Sequence, residues 1–125
     1  MSRDAHDAAR ILVVDDDAGI RRALEVHLDA LGYRVEIVAT GEQAVDAVAR
    51  DLPDLLVVDL GLPGMSGVDV IRSVRAWNGL PIIVLSARDA EREKVEALDA
   101  GADDYVTKPF GMAELVARIK AVTRR

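Results

Sequence analysis

Three runs of four apolar residues, at 11–14 (ILVV), 55–58 (LLVV) and 82–85 (IIVL), constrain this chain more than any other feature. Each is too short for a helix and shows no polar alternation, as expected of strands covered on both faces. The intervening segments supply the covers. Asp17 is placed to cap a helix with the stripe Ile20, Leu24, Leu28 and Leu31, which Gly32 would end. Thr40-Gly41-Glu42-Gln43 is a capping-box pattern ahead of Ala44, Val45, Ala47 and Val48. Helical spacing recurs in Val68, Ile71, Val74 and Arg75, in Val95, Ala97 and Leu98 before Gly101, and in Met112, Leu115, Val116, Ile119 and Val122. Tyr33, Val35 and Ile37 alternate with Arg34 and Glu36, predicting a strand at a sheet edge, and 105–107 is a short fifth strand. Five strands alternating with five helices predict an α/β domain around a parallel sheet, since each right-handed crossover returns the next strand parallel.

In such sheets ligands sit beyond the carboxyl ends of the strands. Those ends carry Asp15 and Asp16, Asp59, Ser86 and Lys108. Asp59 directly precedes LGLPG, so rigid backbone would hold it beside an open turn. If its strand neighbours the first, several like charges meet in one crevice, and at least one carboxyl pKa should rise unless a cation is present. Oxygen donors suit a hard dication, Mg²⁺ or alternatively Mn²⁺. Asp16 and Asp59 would be ligands, a backbone carbonyl just past Asp59 a third oxygen, and Asp15 a contact through water. Lys108 adds a fixed positive charge and Ser86 a hydroxyl donor, completing a cradle for a transferring phosphoryl group with Asp59 as nucleophile.

The rest of the composition narrows the classes. At 125 residues, 50% hydrophobic, the chain has the size of one domain with a substantial core. Residues 1–10, including His6, lack apolar periodicity and are expected to form a flexible tail. The absence of cysteine excludes disulfides, thiolate metal sites and thiol catalysis. A net charge of −6 argues against nucleic-acid binding by this segment. No apolar stretch approaches the roughly 20 residues of a membrane span, so a cytoplasmic location without membrane contact is expected.

The acidic pair, the LGLPGMSG that follows Asp59, IIVLSAR and GADDYVTKPF together resemble the receiver domains of two-component response regulators, above all the OmpR/PhoB group. The resemblance runs over residues 11–125 and implies a flavodoxin-like (βα)5 doubly wound sheet in the order 2-1-3-4-5. It implies phosphoryl transfer from a sensor histidine kinase to Asp59, with Mg²⁺ held by Asp16, Asp59 and the Gly61 carbonyl. Such a domain is no enzyme in the ordinary sense, since it catalyses only its own phosphorylation and dephosphorylation. Ser86 would turn towards the phosphate and Tyr105 inward, altering the surface of the fourth helix, fifth strand and fifth helix. The same surface would carry a homodimer, pairing Lys94 with Glu114, Asp99 with Lys120 and Asp104 with Arg118 around Val95, Leu98 and Val116. A winged-helix domain, not present in 11–125, would then bind DNA and control transcription.

Two other readings use the same residues. A Mg²⁺-dependent phosphohydrolase of the haloacid dehalogenase type would employ Asp15-x-Asp17, Ser86, Lys108 and Asp103-Asp104. Its lysine would then follow the late acidic pair instead of preceding it, and Asp59 would have no role. A flavodoxin-like binding module would need a Gly-rich phosphate loop where Asp15, Asp16 and Asp17 stand. Taken singly, Asp17 reads as a cap, Ser86 as a turn residue, Lys108 as a surface lysine, His27 as a helix-edge residue, and Trp77, Tyr33 and Phe110 as packing.

Overall fold

The computed structural model describes residues 9–87 and 89–124. Its elements are β1 (Arg10–Val14), α1 (Ala18–Ala30), β2 (Arg34–Val38), α2 (Gly41–Arg50), β3 (Leu55–Asp59), α3 (Gly67–Arg75), β4 (Ile82–Ser86), α4 (Glu91–Ala100), β5 (Asp104–Thr107) and α5 (Met112–Thr123). All strands are parallel, in the order β2-β1-β3-β4-β5. The flavodoxin-like doubly wound architecture is thus as expected, with the alternating strand β2 at one edge.

Strand parity divides the core in two. Leu12, Val14, Leu56, Val58, Ile82 and Val84 point to one face, where α2, α3 and α4 bring Ala44, Val48, Ile71, Val74 and Ala97. Ile11, Val13, Leu55, Val57, Ile83 and Leu85 point to the other, against Leu24 and Leu28 of α1 and Leu115 and Ile119 of α5. Each such valine, leucine or isoleucine side chain leaves water almost completely, contributing about 1.5–3 kcal/mol of transfer free energy. The helices start where local chemistry allows. Asp17 Oδ1 accepts from Ile20 N–H at 3.1 Å, the Thr40/Gln43 capping box forms in full, and Ser66 Oγ accepts from Asp69 N–H at 3.1 Å.

Three expectations need correction. Arg10 opens β1 instead of closing a tail: its N–H donates to Asp54 and its guanidinium to the Leu52 carbonyl. Residues 1–8, His6 among them, lie outside the described residues. Leu31 is the C-cap of α1, its N–H still bonded to the His27 carbonyl, and it is exposed at the helix end where Gly32, at φ 94°, turns the chain away. Trp77, expected to pack, lies past the end of α3 with 53% of its surface exposed. Tyr33 and Phe110 do pack against the α1/α5 core.

Candidate functional site

Strands β1 and β3 are hydrogen-bonded neighbours, with Val14 opposite Val58, so the residues that follow them emerge side by side. Carboxylate oxygens of Asp15, Asp16 and Asp59 come within 4.8 Å of one another. Asp15 is fully buried and Asp59 only 4% exposed, whereas Asp16 is open to solvent. Backbone bonds hold the group in place. Asp15 Oδ1 accepts from Asp17 N–H at 2.9 Å, Asp59 Oδ1 from Gly61 N–H at 3.1 Å, and Leu60 N–H donates to the Leu85 carbonyl at 3.0 Å.

Lys108 enters from the far side of β4. Its N–H donates to the Ser86 carbonyl at 2.7 Å, its peptide bond to Pro109 is cis, and its Nζ lies 3.1 Å from Asp15 Oδ2 and 3.2 Å from Asp59 Oδ1. Ser86, opposite Thr107 in register, is fully buried and no turn residue, and its Oγ has no hydrogen-bond partner among the described residues. Burial pushes the Asp59 carboxyl above its ordinary value; the Gly61 N–H opposes this, Asp15 adds to it, and Lys108 opposes it. Burial pulls Lys108 down, but the charges of Asp59 and Asp15 outweigh it and hold the ammonium above its ordinary value.

Whether these residues fit a metal ion is testable on the donor set. Three carboxylates face one lysine, all ligand atoms are oxygens, and the buried Asp15 Oδ2 is met only by the Lys108 ammonium, which Asp59 shares. That set fits a hard dication such as Mg²⁺, which lowers the repulsion among them. The group opens into a cleft of about 530 Å³ lined by Asp16, Asp59, Gly61, Ala87, Glu93 and Lys108.

Further out, Tyr105 on β5 is 38% exposed, with Lys94 Nζ 4.8 Å from its ring centroid. Of the residues expected at a dimer surface, Val95, Leu98, Asp99 and Lys120 are exposed, while Val116 packs against the α1/α5 core. Asp104 and Arg118, read as partners across a twofold axis, are already paired within the chain at 2.9 Å, and Arg118 also reaches Glu114 at 3.2 Å. Asp103, which the phosphohydrolase reading needs, instead accepts from Arg75 and from Ile82 N–H at the opposite end of the sheet. That reading fails on this point.

Two residues here were not singled out from sequence. A Cβ at Gly67 would collide with the Asp59 carbonyl and stand 2.8 Å from Leu60 Cα, so α3 starts against the backbone that carries Asp59. Its mark in the sequence is only one of several glycines in a loop. Glu93, in the first turn of α4, faces the cleft, and the seven-residue spacing from Ser86 is too loose a signal to find it.

Residues 11–120, which carry this parallel sheet with an acidic trio, a lysine and a buried hydroxyl at its carboxyl end, match the family described as response regulator receiver domain, to which this chain belongs. Among its relatives, the transcriptional regulatory protein KdpE of Mycobacterium tuberculosis is 54% identical over 115 residues, 92% of this chain and 51% of that protein. The response regulator MprA of Mycobacterium leprae is 50% identical over 117 residues, covering 93% and 51%. The chain therefore spans about half the length of the curated relatives it matches. A response regulator from Chloroflexus aurantiacus superposes with a TM-score of 0.90 at 38% identity, covering 94% of this chain and 99% of that one. The receiver domain of sensor histidine kinase PA1611 from Pseudomonas aeruginosa, solved with a magnesium ion coordinated in its active-site cleft, does so with a TM-score of 0.87 at 35% identity, covering 94% and 99%.

Proposed function

We propose that this domain receives a phosphoryl group on Asp59 from a phosphohistidine of a sensor kinase, and that the modification controls transcription through a DNA-binding domain outside residues 11–125. The observation that carries the reading is Asp59 itself, nearly buried, shared between an acidic cluster and Lys108, yet lining an open cleft. An Asp59 carboxylate oxygen attacks phosphorus; the new O–P bond forms as the P–N bond breaks, and its electron pair leaves with the imidazole. Asp16, Asp59 and the Gly61 carbonyl would hold Mg²⁺ directly and Asp15 through water, and the bound ion would neutralise phosphoryl oxygens. Lys108 Nζ, already beside Asp59 Oδ1, follows the negative charge onto the phosphoryl group. The unpartnered Ser86 hydroxyl donates to one of its oxygens.

With Ser86 drawn to the phosphate, Tyr105 turns inward and the α4-β5-α5 surface changes, a local electrostatic event biasing a two-state element. A homodimer forms there. It places Lys94 by the partner's Glu114, Asp99 by Lys120 and Asp104 by Arg118, the last exchanging an intrachain pair for an interchain one. The domain acts in the cytoplasm, in keeping with the absence, among the described residues, of any helix long and apolar enough to cross a membrane.

Intact-mass spectrometry after incubation with acetyl phosphate and Mg²⁺ tests the reading. One added phosphoryl group, absent in Asp59→Ala, is the expected result, and no adduct under any condition would sink it. Sedimentation with beryllofluoride should show the dimer.

A further inference from the structure

The cleft wall opposite Asp59 is not chemically neutral. Glu93 stands on it, in the first turn of α4, alongside Ala87 and Ala90. It is exposed and makes no hydrogen bond or ion pair with any described residue. The other acidic side chains of the cleft have tasks: Asp16 and Asp59 belong to the carboxylate trio, and Asp17 caps α1. Against them stands Lys108, whose Nζ is already engaged by Asp15 and Asp59. Among the described residues, Glu93 therefore adds to the cleft a negative charge that no ion pair engages. The simplest other role for it is helix stabilisation, because a carboxylate in a first turn interacts favourably with the helix dipole. Glu91 occupies the same turn and serves that role equally, without lining the cleft. The two glutamates separate the explanations.

We propose that Glu93 is a specificity-determining residue of the phosphoacceptor cleft, which slows phosphorylation of Asp59 by free, small, dianionic acyl phosphates. The inference rests on the reading of Asp59 as the phosphoacceptor. The reaction concerned is attack of an Asp59 carboxylate oxygen on phosphorus; the O–P bond forms as the bond from phosphorus to the acyl oxygen breaks, and the electron pair leaves with the carboxylate product. A donor in free solution carries its full charge past Glu93. A cleft of about 530 Å³ is roughly 10 Å across, close to the Debye length at 0.1 M salt, so the repulsion is felt at low ionic strength and screened at high. One carboxylate and a dianionic donor over that distance in a largely aqueous cleft, partly screened, correspond to a rate effect of about threefold. The residue would attract the metal ion as well as repel the donor, so the two effects separate only when Mg²⁺ is saturating.

Second-order rate constants for acetyl phosphate, read by intact mass at saturating Mg²⁺, test this on Glu93→Gln, Glu93→Lys and Glu91→Gln. The expected result is a rise of about threefold for Glu93→Gln, a larger one for Glu93→Lys, and parent behaviour for Glu91→Gln, with the differences collapsing in ~0.5 M salt. Equal rates in Glu93→Gln and parent would overturn the inference. So would an equal rise in Glu91→Gln, or a rise that high salt leaves intact. If the parent itself takes up no phosphoryl group, the assignment of Asp59 falls and this inference with it. A reactive parent with an indifferent Glu93→Gln removes the inference alone.

Discussion

At the amino end of the sheet, Arg75 donates to the carbonyls of Gly101 and Leu80 at 3.0 and 2.6 Å and to Asp103 at 3.0 Å, while Asp103 also accepts from Ile82 N–H. At the carboxyl end, Lys108 faces more carboxylate than it can neutralise, Asp15 Oδ2 is met by the Lys108 ammonium alone, and Ser86 Oγ is buried without a hydrogen bond among the described residues. Both ends are partly shielded from water, and both set a cation against carboxylate. One end is saturated in donors and acceptors; the other is left short of positive charge. Saturation locks a turn, here the junction of α3, β4 and the start of β5, whereas a deficit is an affinity held for a ligand.

The contrast can be broken most forcefully at Arg75. Arg75→Met strands the backbone carbonyls of Gly101, Asn78 and Leu80 and the Asp103 carboxylate, and should cost about 3 kcal/mol in urea denaturation. A loss under ~1 kcal/mol would mean that solvent already serves these groups.

Next in size is Asp59→Asn. Burial, reinforced by Asp15, holds the Asp59 carboxyl above its ordinary value of 3.8. Its contribution to stability is therefore complete below that unfolded-state value and is lost as pH rises through the folded one. At pH 7 the charge is a cost, so Asp59→Asn should melt a few degrees higher than the parent, with the gap closing towards pH 3. Adding Mg²⁺ should raise the parent's melting temperature and move the variant's much less. A variant that melts lower at pH 7, or gains as much from Mg²⁺, would contradict a carboxyl end short of positive charge.

The smallest effect sharpens the same point. Ser86→Ala deletes a hydroxyl with no partner, so stability should stay within about 0.5 kcal/mol, while Ser66→Ala removes a helix cap and should lose about 1 kcal/mol. Equal losses would show that Ser86 is bonded in solution.

The carboxyl end was legible in the sequence because each of its groups stands at the end of a strand, most of them apolar, and a parallel sheet gathers all strand ends on one edge. Asp15, Asp16, Asp59, Ser86 and Lys108 could be assembled without knowing a single distance. The amino end was not legible. Arg75 reads as one more position on the α3 stripe, and nothing local links it to Asp103, 28 residues on. Sign complementarity likewise suggested Asp104 with Arg118 but could not tell a partner chain from the same chain, a distinction that depends on where β5 and α5 come to lie. Leu31 and Trp77 failed for a simpler reason. Each lies just past the last residue of its helix, one beyond for Leu31 and two for Trp77, where the buried face no longer continues.

Strand β5 is an outermost strand, bonded only to β4, and it bears Tyr105 three residues before Lys108. At about 3.3 Å per residue, roughly 10 Å of extended chain separates the group that touches Asp59 from the ring that faces outward. A displacement at one need not cross the packed interior to reach the other. It can run along a border that is tethered on one flank and free on the other, the cheapest part of a sheet to displace and the place where a small domain can move without loosening.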